Sequence, residues 1–233
     1  KAESRTELVG IVDWLEARIA EEDVEVRLNA EATEADLAGF DAVVVAAGST
    51  GLKHGWTMLR PEKWGGAPLP GADLPHVMAY TELLDRDPEI PARALVFDIA
   101  GGRQGAVVAE YLAQRGAEVD FVTQLGQPSP DLAASRDWGK VHGMLRRAGV
   151  RFHVDRELTR IDAAGVETRD LYTGETERLE GIGLVVMVQG GAANDALYHA
   201  LEGRTEVHLI GDAMAPRRVN DAIKEGELAA RQI

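Results

Sequence analysis

Three places in this sequence join an apolar run to glycine and then to a helix or loop, and each could hold a sugar or a phosphate. Open α/β sheets bind their ligands at such carboxyl ends of strands. The first is Val43-Val44-Val45-Ala46-Ala47-Gly48-Ser49, where Gly48 lets a ligand or another chain segment approach the backbone. The second is Ala100-Gly101-Gly102-Arg103-Gln104-Gly105, placed where a G-x-G-x-x-G dinucleotide loop belongs. Its pattern is A-x-G-x-x-G: Ala100 replaces the tight-turn glycine, while Gly102 and Gly105 keep the close approaches. Thr123 and Gln124 stand where the acidic partner of an NAD ribose is expected, so weak binding of NADH and NADPH is predicted. Arg103 could meet a phosphate or simply lie in solvent. The third is Leu209-Ile210-Gly211-Asp212-Ala213-Met214-Ala215-Pro216-Arg217. Its Asp212 carboxylate can accept hydrogen bonds from a ribose or ribityl hydroxyl. The helix after it, with Asn220 as the predicted N-cap, turns its positive end toward the same point. Each motif alone also fits an ordinary turn.

Other chemistries are excluded. The chain has no Cys, which removes disulfides, thiolate iron–sulfur ligands and Cys nucleophiles. Its 6 His are scattered, without the i, i+4 pairing of a zinc helix. Gly48-Ser49-Thr50-Gly51 is not the G-x-S-x-G of a hydrolase elbow. A net charge of −14 argues against nucleic acid, and no apolar run approaches the ~18 residues of a membrane span.

The elements that must position these motifs read as α/β. Ser4-x-x-Glu7 predicts a capping box, and Leu8, Ile11, Val12, Leu15 and Ile19 form one apolar helical face. Val24, Val26 and Leu28 alternate with Glu25 and Arg27, predicting a half-exposed strand. Residues 40–47 predict a buried strand. A helix followed by two strands, with no strand before it, suggests that a first β–α–β element has been removed. Residues 1–40 hold 11 acids and 4 bases, a solvated surface. Residues 51–92, with Pro61, Pro68, Pro70, Pro75, Pro88 and Pro91, read as loop with a short helix near 81–84. Further strands are predicted at 94–99, 118–123, 151–154, 183–188 and 206–210. Helices are predicted at 105–115, 135–148 (Ser135 as cap) and 220–231. Residues 155–182 read as a polar stretch with turns at Ala164-Gly165 and Thr173-Gly174.

Taken in order, these motifs resemble the two-dinucleotide-domain flavoproteins. The sequence is similar to the carboxyl-terminal part of the family of trimethylamine, dimethylamine and histamine dehydrogenases and 2,4-dienoyl-CoA reductase. LIGDAMAPRRVNDAIKEGELAARQI carries the most specific likeness; ELVGIVDWLEARIAEEDVEVRLNAEAT and SRDWGKVHGMLRRAGV extend it over nearly the whole chain.

The resemblance implies two Rossmann-like, glutathione-reductase-like lobes in three layers. One is a discontinuous, truncated FAD- or ADP-binding lobe (1–85 plus 190–233); the other is an inserted, degenerate NAD(P)-binding-like lobe (86–189). It places Ala47, Gly48, Gly211, Asp212 and Ala213 at FAD or ADP, and Gly102 and Gly105 weakly at NAD(P)H. FMN and a 4Fe-4S cluster belong to a barrel outside this sequence, so no catalytic residue and no metal ligand is expected here. The function implied is that of a fragment of a flavin-dependent amine dehydrogenase, inactive by itself. The alternatives are an NADPH-dependent reductase of the dienoyl-CoA type and an ADP-binding scaffold module. The expected parent is a cytoplasmic homo-oligomer that passes electrons to a protein acceptor and touches neither nucleic acid nor membrane.

Overall fold

The computed structural model describes residues 2–56 and 66–233; Lys1 and Pro61 of the sequence reading lie outside them. In chain order the regular elements begin with α1 (Val9–Glu21), β1 (Ala42–Val45), β2 (Ser49–Gly51), β3 (Val77–Ala79) and α2 (Tyr80–Arg86). There follow β4 (Arg93–Asp98), α3 (Arg103–Gln114), β5 (Glu118–Thr123), α4 (Trp138–Arg147) and β6 (Arg151–His153). Then come β7 (Arg156–Asp162), β8 (Gly165–Asp170), β9 (Thr176–Glu180), β10 (Leu184–Val188), β11 (Gly191–Ala193), α5 (Ala196–Leu201), β12 (Glu206–Leu209) and α6 (Val219–Ala230). The chain is α/β and Rossmann-like, and it divides into two compact units.

The larger unit comprises the residues up to Val9 and Gly51–Gln189. Its five-stranded sheet has the order β3-β10-β4-β5-β6, and every recorded pairing in it is parallel. Strands buried on both faces read as near-continuous apolar runs, and Leu184–Val188 is buried at every position. One face packs on α2, α3 and α4 through Val96, Phe121, Ala109, Leu112 and Leu145. Ala106 and Ala109 of α3 are buried small residues that let the helix sit close to the sheet. The other face, with Leu95, Phe97 and Val122, packs on Leu158, Ile161, Val166 and Leu179. Those residues belong to an antiparallel meander, β7-β8-β9. Residues 155–182 are thus three strands, joined at the two turns the sequence predicts. Sparse apolar residues, with Leu158 and Ile161 three apart across a register irregularity, hid the strands.

The smaller unit comprises Gly10–Thr50 and Gly190–Ile233. Here β1 and β12 pair in parallel, Val45 level with Leu209, and β2 pairs with β11. Its core is small: Val43, Val45, Leu201 and Ala213 are the buried members. No residue of α1 is buried.

Several local expectations are corrected. Residues 24–27 form no strand, and Val24, Val26 and Leu28 are exposed. A lone strand is not stable without a ladder partner, and no described strand pairs with this segment. Ser4 does not cap a helix. Its N–H donates to Glu110 Oε1 at 3.1 Å and its hydroxyl to Glu110 Oε2, while residues 3–8 form a 3-10 helix. Ser135 bonds Leu132 O at 3.2 Å, and α4 starts later, after Asp137. Residues 51–85 cluster with the larger unit, not with the lobe the sequence reading gave them, because β3 is the edge strand of the five-stranded sheet.

Candidate functional site

The carboxyl ends of β1 and β12 emerge side by side, because their register is parallel and level. Ala47, Gly48, Gly211, Asp212 and Ala213 are therefore gathered at one edge of the smaller unit. Gly48 has φ +71°, a left-handed conformation that favours glycine, and a Cβ there would meet nothing within 4 Å. A flat or extended molecule can reach this backbone without a side chain in its way. Gly211 and Ala213 are buried, while Asp212 is half-buried.

Asp212 is held from two sides. The Ser49 hydroxyl donates to Oδ2 at 3.4 Å, and the Arg217 backbone N–H donates to Oδ1 at 3.1 Å. The first bond is long and joins residues 163 positions apart; a sugar hydroxyl could replace it at little cost. Around this pair the Asn194 amide ties the loop down. Its backbone N–H donates to Gly48 O at 3.0 Å, and its Nδ2 donates to Ala47 O at 3.1 Å. Thr50 in turn donates to Asn194 Oδ1 at 2.9 Å. Glu225 of α6 accepts from the Gly211 N–H at 2.8 Å and pairs with the Arg217 guanidinium. The Gly211 amide is thus already used within the protein. The residues present suit a sugar; they do not offer a cradle of backbone amides to phosphates.

Sequence reasoning missed Ser49, Asn194 and Glu225. Ser49 carried a signal, since it follows Gly48 directly; Asn194 and Glu225 show no pattern in sequence. Asn220 is not the N-cap of α6. Arg218 is, and its N–H donates to Asp221 Oδ2 at 3.3 Å, so Asn220 lies in the first turn.

The second motif is arranged differently. Gly102 precedes α3 and Gly105 lies in its first turn. A Cβ on Gly105 would stand 2.6 Å from Asp98 Oδ2, so this glycine serves close packing against Asp98. Asp98 ends β4, fully buried, and its Oδ1 accepts the N–H groups of Ala100 (3.0 Å) and Gly101 (3.2 Å). Its Oδ2 has no partner. Burial raises its pKa to about 7, against which the two N–H bonds work. Above the loop, a Cβ on Gly101 would strike Leu125 Cδ1 at 2.8 Å, and Pro130 lies at 3.4 Å. The Asp131 N–H donates to Gly101 O at 3.1 Å. The amides that would greet a pyrophosphate are spent on Asp98, and the space over them is filled by residues 125–131. Arg103 pairs with Asp137 and is not directed outward to a phosphate. The residues present do not fit a dinucleotide. Asp98 was legible as the one acid in the apolar run ALVFDI.

Among the described residues no group of His, Cys, Asp and Glu could hold a metal ion, and no helix is long and apolar enough to cross a membrane.

No family model matches the chain. It is 28% identical over 211 residues to N,N-dimethylglycine/sarcosine dehydrogenase of Chromohalobacter salexigens, covering 88% of this chain and 29% of that one. With NADH oxidase of Thermoanaerobacter brockii it shares 26% identity over 224 residues, 95% of this chain and 32% of that one. Among solved structures, histamine dehydrogenase of Rhizobium sp. 4-9 superposes with a TM-score of 0.83 at 28% identity, covering 96% of this chain and 36% of that one. The chain thus spans about a third of the length of the relatives it matches.

Proposed function

We infer the role of this chain from its kinship: it is a homologue of the amine dehydrogenase and NADH oxidase family of flavin-dependent oxidoreductases. In our reading it supplies the nucleotide-binding region of an amine dehydrogenase, with FAD or ADP against the smaller unit. Ser49, Asp212 and the open backbone at Gly48 would hold the sugar of that nucleotide. The group so held supplies redox capacity if it is FAD and only architecture if it is ADP. The amine chemistry, with FMN and an iron–sulfur cluster, would belong to a barrel elsewhere in the parent enzyme.

The observation that carries this reading is the meeting of Ser49 and Asp212 at two level, parallel strand ends. The filled crevice of the larger unit supports a dehydrogenase of the amine type over an NADPH-dependent reductase. The test is titration of ADP and FAD into the longest natural polypeptide that carries this sequence. Asp212→Ala should weaken the bound nucleotide by roughly 10- to 150-fold, the worth of a hydrogen bond to a charged group. Asp212→Asn keeps an acceptor oxygen and should lose less. A melting point that falls while affinity stays the same would make Asp212 a turn residue and end the assignment.

A further inference from the structure

The larger unit contains a cavity of about 260 Å³ that neither candidate motif uses. Trp56, Pro68 and Phe97 give it flat apolar walls, and Gln124, Glu157 and Arg169 give it polar ones. Its place follows the rule for open sheets, since Phe97 and Gln124 stand at the carboxyl ends of β4 and β5. Gln124 is only 4% exposed, and its Nε2 has no hydrogen-bond partner. Buried amide atoms are almost always paired, so an unpaired one lining a cavity points to something that enters it. An amide turned end for end would present Oε1 at that point instead. A partner that can both donate and accept answers either orientation.

The charge of the cavity narrows the choice. Arg169 Nε donates to Glu157 Oε1 at 2.8 Å, and Arg169 Nη2 bonds the same oxygen. The guanidinium is neutralised by a carboxylate that is itself buried, so no net charge draws an ion here. The backbone beside Trp56 is pinned by Gln189. Gly55 N–H donates to Gln189 Oε1 at 2.9 Å, and Gln189 Nε2 donates to Trp56 O at 3.2 Å. The volume lies just below that of pockets for drug-sized ligands and suits a single ring.

We propose that this cavity binds a neutral, single-ring aromatic carboxamide, its ring against Trp56 and Phe97 and its amide paired with Gln124. The proposal does not depend on the nucleotide reading of the smaller unit. Benzamide is the probe, titrated into the full chain by calorimetry and ligand-observed NMR. A Kd of about 1 mM is expected, in keeping with a ligand of few heavy atoms. Toluene lacks the amide and cyclohexanecarboxamide lacks the aromatic ring; each should bind at least about tenfold more weakly. Gln124→Leu should abolish benzamide binding while circular dichroism and melting remain those of a folded chain. If that variant fails to fold, Trp56→Leu replaces it, with the same loss expected. No saturable binding by about 10 mM, or equal binding by the variants, would overturn the proposal. So would a Gln124→Leu chain that only melts higher, which would assign the amide to water alone.

Discussion

The two units place the same local device, a glycine just beyond the end of a parallel strand, in opposite surroundings. In the larger unit the device sits under two finished layers, and the chain has closed over it. Asp98 takes the loop amides, and Leu125 and Pro130 cover Gly101. In the smaller unit the sheet about the device is two strands wide, and Gly48 faces open space. Exposure of apolar side chains follows the same division. Ile11, Trp14, Leu15, Ile19, Val24, Val26, Leu28, Phe40, Ile223 and Leu228 are exposed in the smaller unit, whereas among the described residues of the larger unit only Val9 and Tyr172 are. A glycine-bearing strand end is therefore not a site by itself. What the neighbouring segments do with the space above it decides.

The contrast can be broken most forcefully at Asp120, in the middle of β5. This carboxylate is fully buried, and burial would raise its pKa, but hydrogen bonds from His153, Arg151 and Arg93 hold it far below the usual range. Arg93 bonds it through Nε at 3.0 Å and Nη2 at 2.9 Å, Arg151 through Nε at 2.9 Å, and His153 through Nε2 at 2.9 Å. Asp120→Ala strands these partners and should cost about 3–5 kcal/mol in denaturant unfolding. Nucleotide affinity of the smaller unit should not follow. If it does, the two units are energetically coupled. The sign with pH is that of a depressed carboxyl: its contribution is full above pH ~4 and is lost as pH falls toward the folded pKa.

Asp98 has the opposite sign. Its folded pKa of about 7 exceeds the unfolded value, so the folded state binds the extra proton between pH ~4 and 7. Stability of the larger unit should fall as pH rises through that window, by about 2–4 kcal/mol at most. Asp98→Asn should flatten the slope, read from melting points at pH values across the window. A slope that survives the substitution would place the titrating group elsewhere. The smallest effect is expected on α1. Ile19 is 43% exposed, and Ile19→Ser should change unfolding free energy by no more than about 0.5 kcal/mol. A loss of more than about 2 kcal/mol would mean that this face is packed after all, and the contrast between the units would fade.

Most of the larger unit is legible in the sequence because its strands are doubly buried. Glu118–Thr123 is found where its run of residues predicts it, and β4, β10 and α3 shift by a residue or two. The meander is illegible as strands because each strand carries only one or two apolar residues and an irregularity between Leu158 and Arg160 breaks the alternation. In the smaller unit legibility fails for another reason. The alternation of Val24, Val26 and Leu28 is a true strand pattern, but a pattern becomes a strand only where a neighbour accepts its hydrogen bonds. Of the site, the glycines and Asp212 are readable from sequence. Asn194 and Glu225 are not, because Asn194 is brought to Ala47 by the pairing of β2 with β11 and Glu225 to Gly211 by the docking of α6, which no local signal encodes.

The register of β1 has one more effect. The strand pairs with β12 along one edge, and along the other it carries no partner among the described residues. An uncovered row of amides and carbonyls beside apolar side chains is a template on which further chains can stack. Residues 10–41 hold 10 acids against 2 bases and the whole chain carries −14, so copies repel one another in dilute buffer. Salt shortens that repulsion to about 3 Å at 1 M. A solution of this 233-residue chain by itself should therefore lose solubility as salt rises, with low salt as the protecting condition.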